Sequence, residues 1–370
     1  DVTVQKTILE LIRSLQLELG TAVLFITHDL GVVADIADRV AILYRGELLE
    51  SGSREEVLSA PKHPYTRALL ACRPAGHPKG RPLPVVSDML EGKPLPTPLP
   101  PLTSGPGTAV EIRDLVVRYP VRRNLWGRVT ASFTAVDGVS LDIGEGETLG
   151  LVGESGCGKS TLGRALLRLV EPASGNIQVG GQSLQQFTPK ELLAYRRAVQ
   201  LVFQDPYSAL NPRLTIGEAL EEPLRVHGRG TRAAQRRRTA ALLDQVGLPA
   251  SAAERYPHAF SGGQRQRIVI ARALALDPQV LVCDESVSAL DVSVQAQVLN
   301  LLNELRRELR LTLLFISHDL SVVRYMSDRI AVMQAGKIVE LGEAEAVYNT
   351  PQHPYTRTLL ASLPGNTHKG

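Results

Sequence analysis

The sequence predicts an α/β fold with a mostly parallel core sheet, and three observations support this prediction. Residues 153–161 read GESGCGKST, the form G-x-x-x-x-G-K-[ST] of a phosphate-binding loop, and an apolar strand candidate directly precedes them. Strand and helix candidates alternate from residue 110 onwards, which is typical of parallel sheets that bind ligands at the carboxyl ends of their strands. Residues 205–260 are mainly helical by pattern, which indicates a helical subdomain inserted into this core.

Composition narrows the class of protein. The 370 residues allow more than one domain, and a hydrophobic content of 44% with a net charge of +3 is ordinary for a globular protein that needs no nucleic-acid partner. Cys72, Cys157 and Cys283 lie far apart, so neither a disulfide framework nor a zinc site is expected. There is no run of 18 apolar residues and no export signal, so we expect a cytosolic chain that does not span a membrane.

The first 74 residues predict a short series of elements. Residues 1–19 have apolar side chains at a helical period, and Ala22–Ile26 is an apolar run that predicts a buried strand. Leu30–Ala37 is expected to be a helix, and Val40–Tyr44 and Leu48–Glu50 are expected to be strands around a glycine turn.

The stretch 75–107 is rich in proline and glycine and includes KPLPTPLPPLTSGPG. Proline fixes φ and removes backbone donors, so we expect an extended linker rather than a packed element. This predicts a domain boundary.

The remaining residues predict a second unit with its own series of strands and helices. The expected strands are Val110–Tyr119, Val139–Ile143, Thr148–Val152, Val199–Phe203 and Val280–Cys283, and the expected helices are Lys159–Leu169, Thr231–Val246 and Val292–Leu309.

Residues 1–74 repeat residues 291–364 at a constant offset of 290, with 35 of the 74 positions identical. The sequence HPYTR, for example, occurs at 63–67 and again at 353–357. We therefore expect the chain to open inside one copy of a domain and to contain a second copy whole. The predicted units are a C-terminal remnant at 1–74, a linker at 75–107, a complete domain at 108–350 with its helical subdomain at about 205–262, and a tail at 351–370.

The phosphate loop is the strongest chemical signal. Gly153, Gly156 and Gly158 let the backbone approach phosphate oxygens, and N–H groups at the helix start point at an anion. Lys159 can reach the β- and γ-phosphates of a nucleotide, and Ser160 can ligate Mg²⁺. Cys157 lies inside the loop, where it is either a bystander or a redox-sensitive thiol.

Two carboxylates follow the apolar strand at 280–283. Asp284 suits a contact with Mg²⁺, and Glu285 suits polarisation of an attacking water. Adjacent acids at a strand end are otherwise simply solvated, and the phosphate loop favours the catalytic interpretation.

Other candidates depend more on context. Gln204 and His318 each follow an apolar strand, where they can contact a metal, a water or a γ-phosphate, but a surface amide and a structural histidine are the plain alternatives. Tyr119 can stack on an adenine ring or belong to the core. The stretch FSGGQRQR at 260–267 offers a second anion-binding helix start, which suggests a nucleotide held by another domain.

In this order, GESGCGKST, FQDPYSALNPR, FSGGQRQR, VCDE, SALD and SHDL resemble an ABC-type ATP-binding subunit over residues 110–364. The segments FQDPYSALNPR and HPYTR are similar to those of ATPases of dipeptide, oligopeptide, nickel and glutathione importers, and the tandem arrangement resembles the fused type. The resemblance implies a P-loop NTPase fold with a parallel core sheet, an antiparallel β subdomain and an inserted helical subdomain.

The resemblance also implies roles for individual residues. Tyr119 would stack on adenine, Gln204 would be the Q-loop glutamine, Asp284 the Walker B aspartate, Glu285 the catalytic glutamate and His318 the switch histidine. ATP would further contact the phosphate loop, the signature and the D-loop, which comprise Gly153, Glu154, Ser155, Gly156, Cys157, Gly158, Lys159, Ser160, Thr161, Ser261, Gly262, Gly263, Gln264 and Asp291. Mg²⁺ would be held by Ser160, Gln204 and Asp284. The first copy retains only Asp1 of its D-loop and His28, so we do not expect it to bind ATP alone.

The partners implied are two transmembrane permeases, an extracytoplasmic solute-binding protein and a second ABC domain, in trans or in a longer chain, at the cytoplasmic face of the inner membrane. One alternative is a soluble tandem ABC ATPase that acts on the ribosome or DNA; the short proline-rich linker argues against it. Another is a non-hydrolysing relic; the intact Lys159, Glu285 and His318 argue against that. The arginines at 232 and 236–238 are interpreted as a solvated helix face rather than a nucleic-acid interface.

Overall fold

A computed structural model of the protein describes residues 2–95, 97, 98, 102, 105–123 and 129–362. Asp1, the expected D-loop residue of the first copy, lies outside the described residues, and so does the end of the predicted tail, residues 363–370.

The first unit is a series of helices around one hairpin. Its elements are α1 (Val2–Leu19), α2 (Leu30–Ile36), β1 (Arg39–Tyr44), β2 (Glu47–Ser53), α3 (Arg54–Ser59) and α4 (Pro64–Ala71). The two strands pair antiparallel, with a register shift between Ile42 and Leu43. The carboxylate of Asp29 caps α2, and Ser53 and Glu56 form a capping box at the start of α3. The predicted helices and strands of this unit are thus present, with one exception.

The exception is Ala22–Ile26, where the prediction of a buried strand is wrong. Residues 21–27 form no strand, and Leu24 and Ile26 are 89% and 88% exposed. The matching segment of the second copy, Thr312–Ile316, is fully buried and lies between two parallel strands. A strand needs such neighbours to satisfy its backbone, and the described part of residues 2–74 supplies only the β1–β2 hairpin.

The proline-rich stretch contains a short helix, α5 (Val86–Leu90), and part of it packs on the second unit. Leu83 and Val86 are buried in the same apolar cluster as residues of that unit. The Leu83 N–H donates to Asn300 Oδ1, and Asn300 Nδ2 donates to the Leu83 carbonyl, both at 2.8 Å. The Tyr325 hydroxyl donates to the Arg81 carbonyl at 3.0 Å. The expectation of an extended, unpacked linker is therefore wrong for residues 81–90, where Asn300 and Tyr325 bond the backbone and Leu83 and Val86 are buried.

The second unit comprises two sheets and several helices. Its strands are β3 (Thr108–Arg123), β4 (Val129–Gly144), β5 (Thr148–Val152), β6 (Ser174–Val179), β7 (Gln182–Ser183), β8 (Val199–Val202), β9 (Val280–Asp284), β10 (Thr312–Ile316), β11 (Arg329–Gln334) and β12 (Lys337–Glu343). Its helices are α6 (Lys159–Leu166), α7 (Pro189–Ala198), α8 (Pro206–Ala209), α9 (Ile216–Val226), α10 (Arg232–Gln245), α11 (Gly262–Leu274), α12 (Val292–Leu309), α13 (Leu320–Met326), α14 (Ala344–Asn349) and α15 (Pro354–Ala361).

The core sheet has the strand order β12-β11-β5-β10-β9-β8, and all its pairs are parallel except β11–β12. Every residue of β5, β9 and β10 is buried, as expected for parallel strands covered on both faces. The antiparallel sheet, in the order β4-β3-β6-β7, forms the second β layer. Because parallel strands end at one edge, the residues that follow β5, β8, β9 and β10 come together there.

The helical subdomain consists of α8, α9 and α10, followed by 3₁₀ turns at Ala250–Glu254 and Pro257–Ala259. Capping boxes define helix starts here and elsewhere, as at Thr215–Glu218 before α9 and Ser261–Gln264 before α11. Among the described residues, no helix combines the length and apolar character required to cross a bilayer.

Candidate functional site

The phosphate loop lies between β5 and α6 and is tightly surrounded by backbone. Gly153 and Gly158 have φ values of 152° and 113°. A Cβ atom would lie 2.1 Å from the Met333 carbonyl oxygen at Gly153, and 2.2 Å from the Ala135 carbonyl oxygen at Gly158. Only glycine fits these two positions. No side chain caps the start of α6 at Gly158, so its first N–H groups are available to an anion.

The Lys159 side chain is 4% exposed and folds back over the loop. Its ammonium donates to the carbonyl oxygens of Gly153 at 2.7 Å and Glu154 at 2.8 Å. These bonds compensate for the loss of water around a buried cation. They also hold the positive charge against the backbone of the loop.

Ser160 and Asp284 meet beside the loop. The Ser160 hydroxyl donates to Asp284 Oδ1 at 2.8 Å, and Asp284 is 5% exposed at the end of β9. Burial raises the pKa of Asp284, while the bond from Ser160 opposes that rise. A hydroxyl and a carboxylate are oxygen ligands suited to Mg²⁺, which takes few carboxylates when a phosphate supplies further oxygens. Within the described ranges, no cluster of three or more histidine, cysteine or acidic side chains able to hold a metal occurs.

Glu285 follows β9 and contacts one side chain that follows β8 and one that follows β10. Its Oε2 accepts from Gln204 Nε2 at 2.7 Å and lies 3.7 Å from His318 Nδ1. Its φ is +47°, a strained value for a residue with a side chain, and its N–H bonds the Ile316 carbonyl at 2.9 Å. The neighbouring His318 lowers the pKa of Glu285, so the carboxylate is ionised at neutral pH and can accept a proton.

Tyr119 lies on β3, close to the start of α6. It is half-buried and packs against the apolar cluster of that sheet. Its hydroxyl is 3.4 Å from Thr161 Oγ1. The hydroxyl therefore lies beside Thr161, the last residue of the phosphate loop.

Ser261 and Gln264 bond to each other at the start of α11. Ser261 Oγ accepts from the Gln264 N–H at 3.3 Å, and Gln264 Oε1 accepts from the Ser261 N–H at 3.1 Å. A Cβ atom at Gly263 would lie 2.1 Å from Val294 Cγ1. Asp291 caps α12 by accepting from the Val294 N–H at 3.0 Å. Among the described contacts of these residues, none reaches the phosphate loop.

Sequence reasoning missed Tyr355, whose hydroxyl accepts a hydrogen bond from the Glu154 N–H at 3.1 Å. Tyr355 lies in the second HPYTR segment, which the repeat had singled out without giving it a role. The repeat itself was the available signal, but the proximity of residues 154 and 355 exists only in the folded chain.

Comparison with known proteins gives two family matches. Residues 136–288 match the family described as ABC transporter. Residues 49–93 and 339–370 match the family described as Oligopeptide/dipeptide transporter, C-terminal region. The second match covers both HPYTR segments.

Among curated proteins, the chain is 54% identical over 370 residues to the Glutathione import ATP-binding protein GsiA of Escherichia coli (strain K12), and 50% identical over 383 residues to that of Salmonella paratyphi A. Each alignment covers 98% of this chain and 59% of the relative, so the chain spans less than two thirds of their length.

Among solved structures, the chain resembles the ATP-binding cassette MJ0796 in a post-hydrolysis state bound to ADP and Pi, with a TM-score of 0.57 and 30% identity over 64% of this chain and 98% of that one. It also resembles cbiO1 of Clostridium perfringens, part of the ABC transporter complex cbiONQ, with a TM-score of 0.57 and 26% identity over 65% of this chain and 91% of that one. These likenesses confirm the predicted fold class.

Proposed function

Because this chain belongs to the ABC transporter family of ATP-binding proteins, we propose that it binds MgATP and hydrolyses it to drive the import of peptides or related small solutes. The observation that carries the proposal is the convergence of Lys159, Ser160, Asp284 and Glu285 at one edge of the core sheet. The glutathione import function named for the 54% identical relative supports a solute of peptide type.

In this proposal the residues from Gly153 to Thr161, including Glu154, Ser155, Gly156 and Cys157, surround the phosphates, and Lys159 contacts the β- and γ-phosphates. Ser160, Asp284 and Gln204 would hold Mg²⁺, and Gln204 still has its amide oxygen to offer, because its nitrogen is the atom bonded to Glu285. Bound Mg²⁺ would neutralise charge on the phosphate oxygens.

Glu285 would accept a proton from the water that attacks the γ-phosphorus while the bond to the β–γ bridging oxygen breaks, which yields ADP and phosphate. His318 would contact the γ-phosphate from the end of β10, and Tyr119 would stack on the adenine ring. Gln204 precedes the helical subdomain, so its contact with Glu285 would connect the state of the nucleotide to that subdomain.

Ser261, Gly262, Gly263, Gln264 and Asp291 would face the ATP of a second ABC domain, in trans or in a longer chain. Their described contacts stay within their own turn and the start of α12, which leaves the exposed side of Ser261 free for such a partner. Two transmembrane permeases, fed by an extracytoplasmic solute-binding protein, would be driven from the cytoplasmic face of the inner membrane. The alternative of a soluble ATPase acting on the ribosome or DNA gains no support from the relatives described above.

The first experiment compares MgATP binding by calorimetry in the wild type, Lys159→Ala and the matched control Lys190→Ala, whose side chain is exposed on α7. We expect Lys159→Ala to lose most of the affinity, because it removes the buried cation of the loop, and Lys190→Ala to bind as the wild type does. Equal affinity of all three proteins would show that residues 153–161 are not the nucleotide site.

The second experiment uses Glu285→Gln, which keeps the size of the side chain and removes its basicity. We expect this variant to bind MgATP and to hydrolyse it at least 100-fold more slowly, as is typical when a general base is removed. Light scattering of the same variant with and without MgATP should show a shift from monomer to dimer. A nucleotide-bound monomer would mean that the partner of Ser261 is not a second copy of this chain but another ABC domain, on a separate protein or in a longer chain.

A further inference from the structure

We propose that Tyr355 is a positioning residue for the phosphate loop, whose hydroxyl holds the Gly153–Glu154 peptide in the orientation that receives phosphate. The proposal rests on the function proposed above, since it concerns the same nucleotide site. Tyr355 lies on α15, about 200 residues after the loop, and its hydroxyl accepts from the Glu154 N–H at 3.1 Å.

The peptide unit between Gly153 and Glu154 is held from both sides. Its carbonyl oxygen accepts from the Lys159 ammonium at 2.7 Å, and its N–H donates to the Tyr355 hydroxyl at 3.1 Å. Rotation of this peptide would break both bonds together. Hydrogen bonds on the two ends of one peptide also polarise each other, which strengthens both. Tyr355 thus acts on the position of Lys159 through the backbone of the loop.

Hydrogen bonds and apolar packing fix the position of Tyr355. The Gln352 and His353 N–H groups donate to the Glu340 carboxylate on β12 at 2.8 Å and 3.0 Å, and His353 Nδ1 accepts from the Tyr355 N–H at 3.2 Å. The Tyr355 ring packs against the large apolar cluster. Burial raises the pKa of Tyr355, so its hydroxyl is neutral at physiological pH and does not place a negative charge beside bound phosphate.

The first HPYTR segment begins its helix with the same hydrogen bonds as the second, so these bonds do not depend on a phosphate loop. The Lys62 and His63 N–H groups donate to Glu50 at 2.7 Å and 3.2 Å, and His63 Nδ1 accepts from the Tyr65 N–H at 3.1 Å. There the Tyr65 ring packs on Tyr44, with 4.4 Å between the ring centroids. The same scaffold therefore forms in both copies, and only the second presents its tyrosine hydroxyl to a phosphate loop. Loss of that hydroxyl should leave the helix intact.

The test uses the full chain with the substitution Tyr355→Phe and the matched control Tyr65→Phe, each of which removes one oxygen atom. We expect Tyr355→Phe to weaken MgATP binding about two- to ten-fold, the range for one neutral hydrogen bond, with an unchanged far-UV circular dichroism spectrum. The KM for ATP should rise by the same factor while kcat stays within two-fold, because Glu285 and His318 are untouched. Tyr65→Phe should match the wild type in both quantities.

Hydrogen exchange supplies a readout that a general loss of stability would not produce. The Glu154 amide should exchange faster in Tyr355→Phe than in Tyr65→Phe, while amides of β10 exchange equally in both. A measurement on the wild type alone does not depend on any variant: in the ligand-free protein the Glu154 amide should be protected from exchange, as its bond to Tyr355 requires.

The outcomes separate the two proposals. If the wild type binds no MgATP, the proposed function fails and the inference fails with it. If the wild type binds MgATP and Tyr355→Phe binds it equally well with an equally protected Glu154 amide, only the role of Tyr355 is overturned. An unprotected Glu154 amide in the wild type overturns that role as well.

Discussion

Replacing Gly158 with alanine should destabilise the ligand-free protein much more than replacing Gly156 with alanine. Both glycines have positive φ values, 113° and 77°, so either alanine carries a backbone strain of about 1–2 kcal/mol. At Gly156 the new Cβ would meet nothing within 4 Å, whereas at Gly158 it would lie 2.2 Å from the Ala135 carbonyl oxygen. That oxygen belongs to β4, where Ala135 is the unpaired residue of a bulge between the Thr134–Arg118 and Val136–Val117 pairs. Overpacking of this kind costs about 1–3 kcal/mol more.

The free energy of unfolding is measured by urea denaturation followed by circular dichroism, without nucleotide. We expect losses of about 1–2 kcal/mol for Gly156→Ala and about 2–5 kcal/mol for Gly158→Ala, as the sum of strain and overlap. Equal losses in the two variants would show that the overlaps at Gly158, with the Ala135 carbonyl and with Met333 Cε at 2.8 Å, cost nothing. A fully stable Gly158→Ala variant would show that the loop moves away from β4 easily.

Two further predictions concern the thiols and the stretch between the units. All three thiols, Cys72, Cys157 and Cys283, are buried, and burial raises the pKa of Cys72 and of Cys283 to about 12. At pH 8 few thiolates form, so a disulfide reagent should react slowly until urea unfolds the chain. Fast reaction of all three thiols in the native protein would contradict this. Asn300→Ala removes both bonds to Leu83 and should speed proteolytic cleavage within residues 75–107, and cleavage at the wild-type rate would show that Asn300 does not hold this stretch.

The two copies of the repeat show which features follow from local sequence. The register shift between Ile42 and Leu43 has its counterpart between Val332 and Met333, at the same offset of 290. Asp29 and Asp319 cap the following helices in the same way, each through bonds to two N–H groups. Hairpins and caps involve residues that are close in the chain, so the same sequence pattern produces the same structure in both units.

Much of the candidate site was predictable for a related reason. Gln204, Asp284, Glu285 and His318 each come at or just after the end of an apolar strand, and strands of a parallel sheet end at a common edge. The motif at residues 153–161 marks that edge by itself. The contacts of Glu285 with Gln204 and His318 then follow from the order of the strands, because β9 lies between β8 and β10.

The sequence by itself determined the helices α1, α2, α6, α10 and α12, the β1–β2 hairpin and the phosphate loop, because these depend on period, turn residues and neighbours in the chain. Only the tertiary structure decided that Ala22–Ile26 is exposed while Thr312–Ile316 is a buried strand, although Leu24-Phe25-Ile26 and Leu314-Phe315-Ile316 are identical. Only the tertiary structure brought Tyr355 to Glu154 and Leu83 to Asn300. The physical reason is that a strand or a contact between distant segments needs a partner for its backbone groups, and local sequence does not specify that partner.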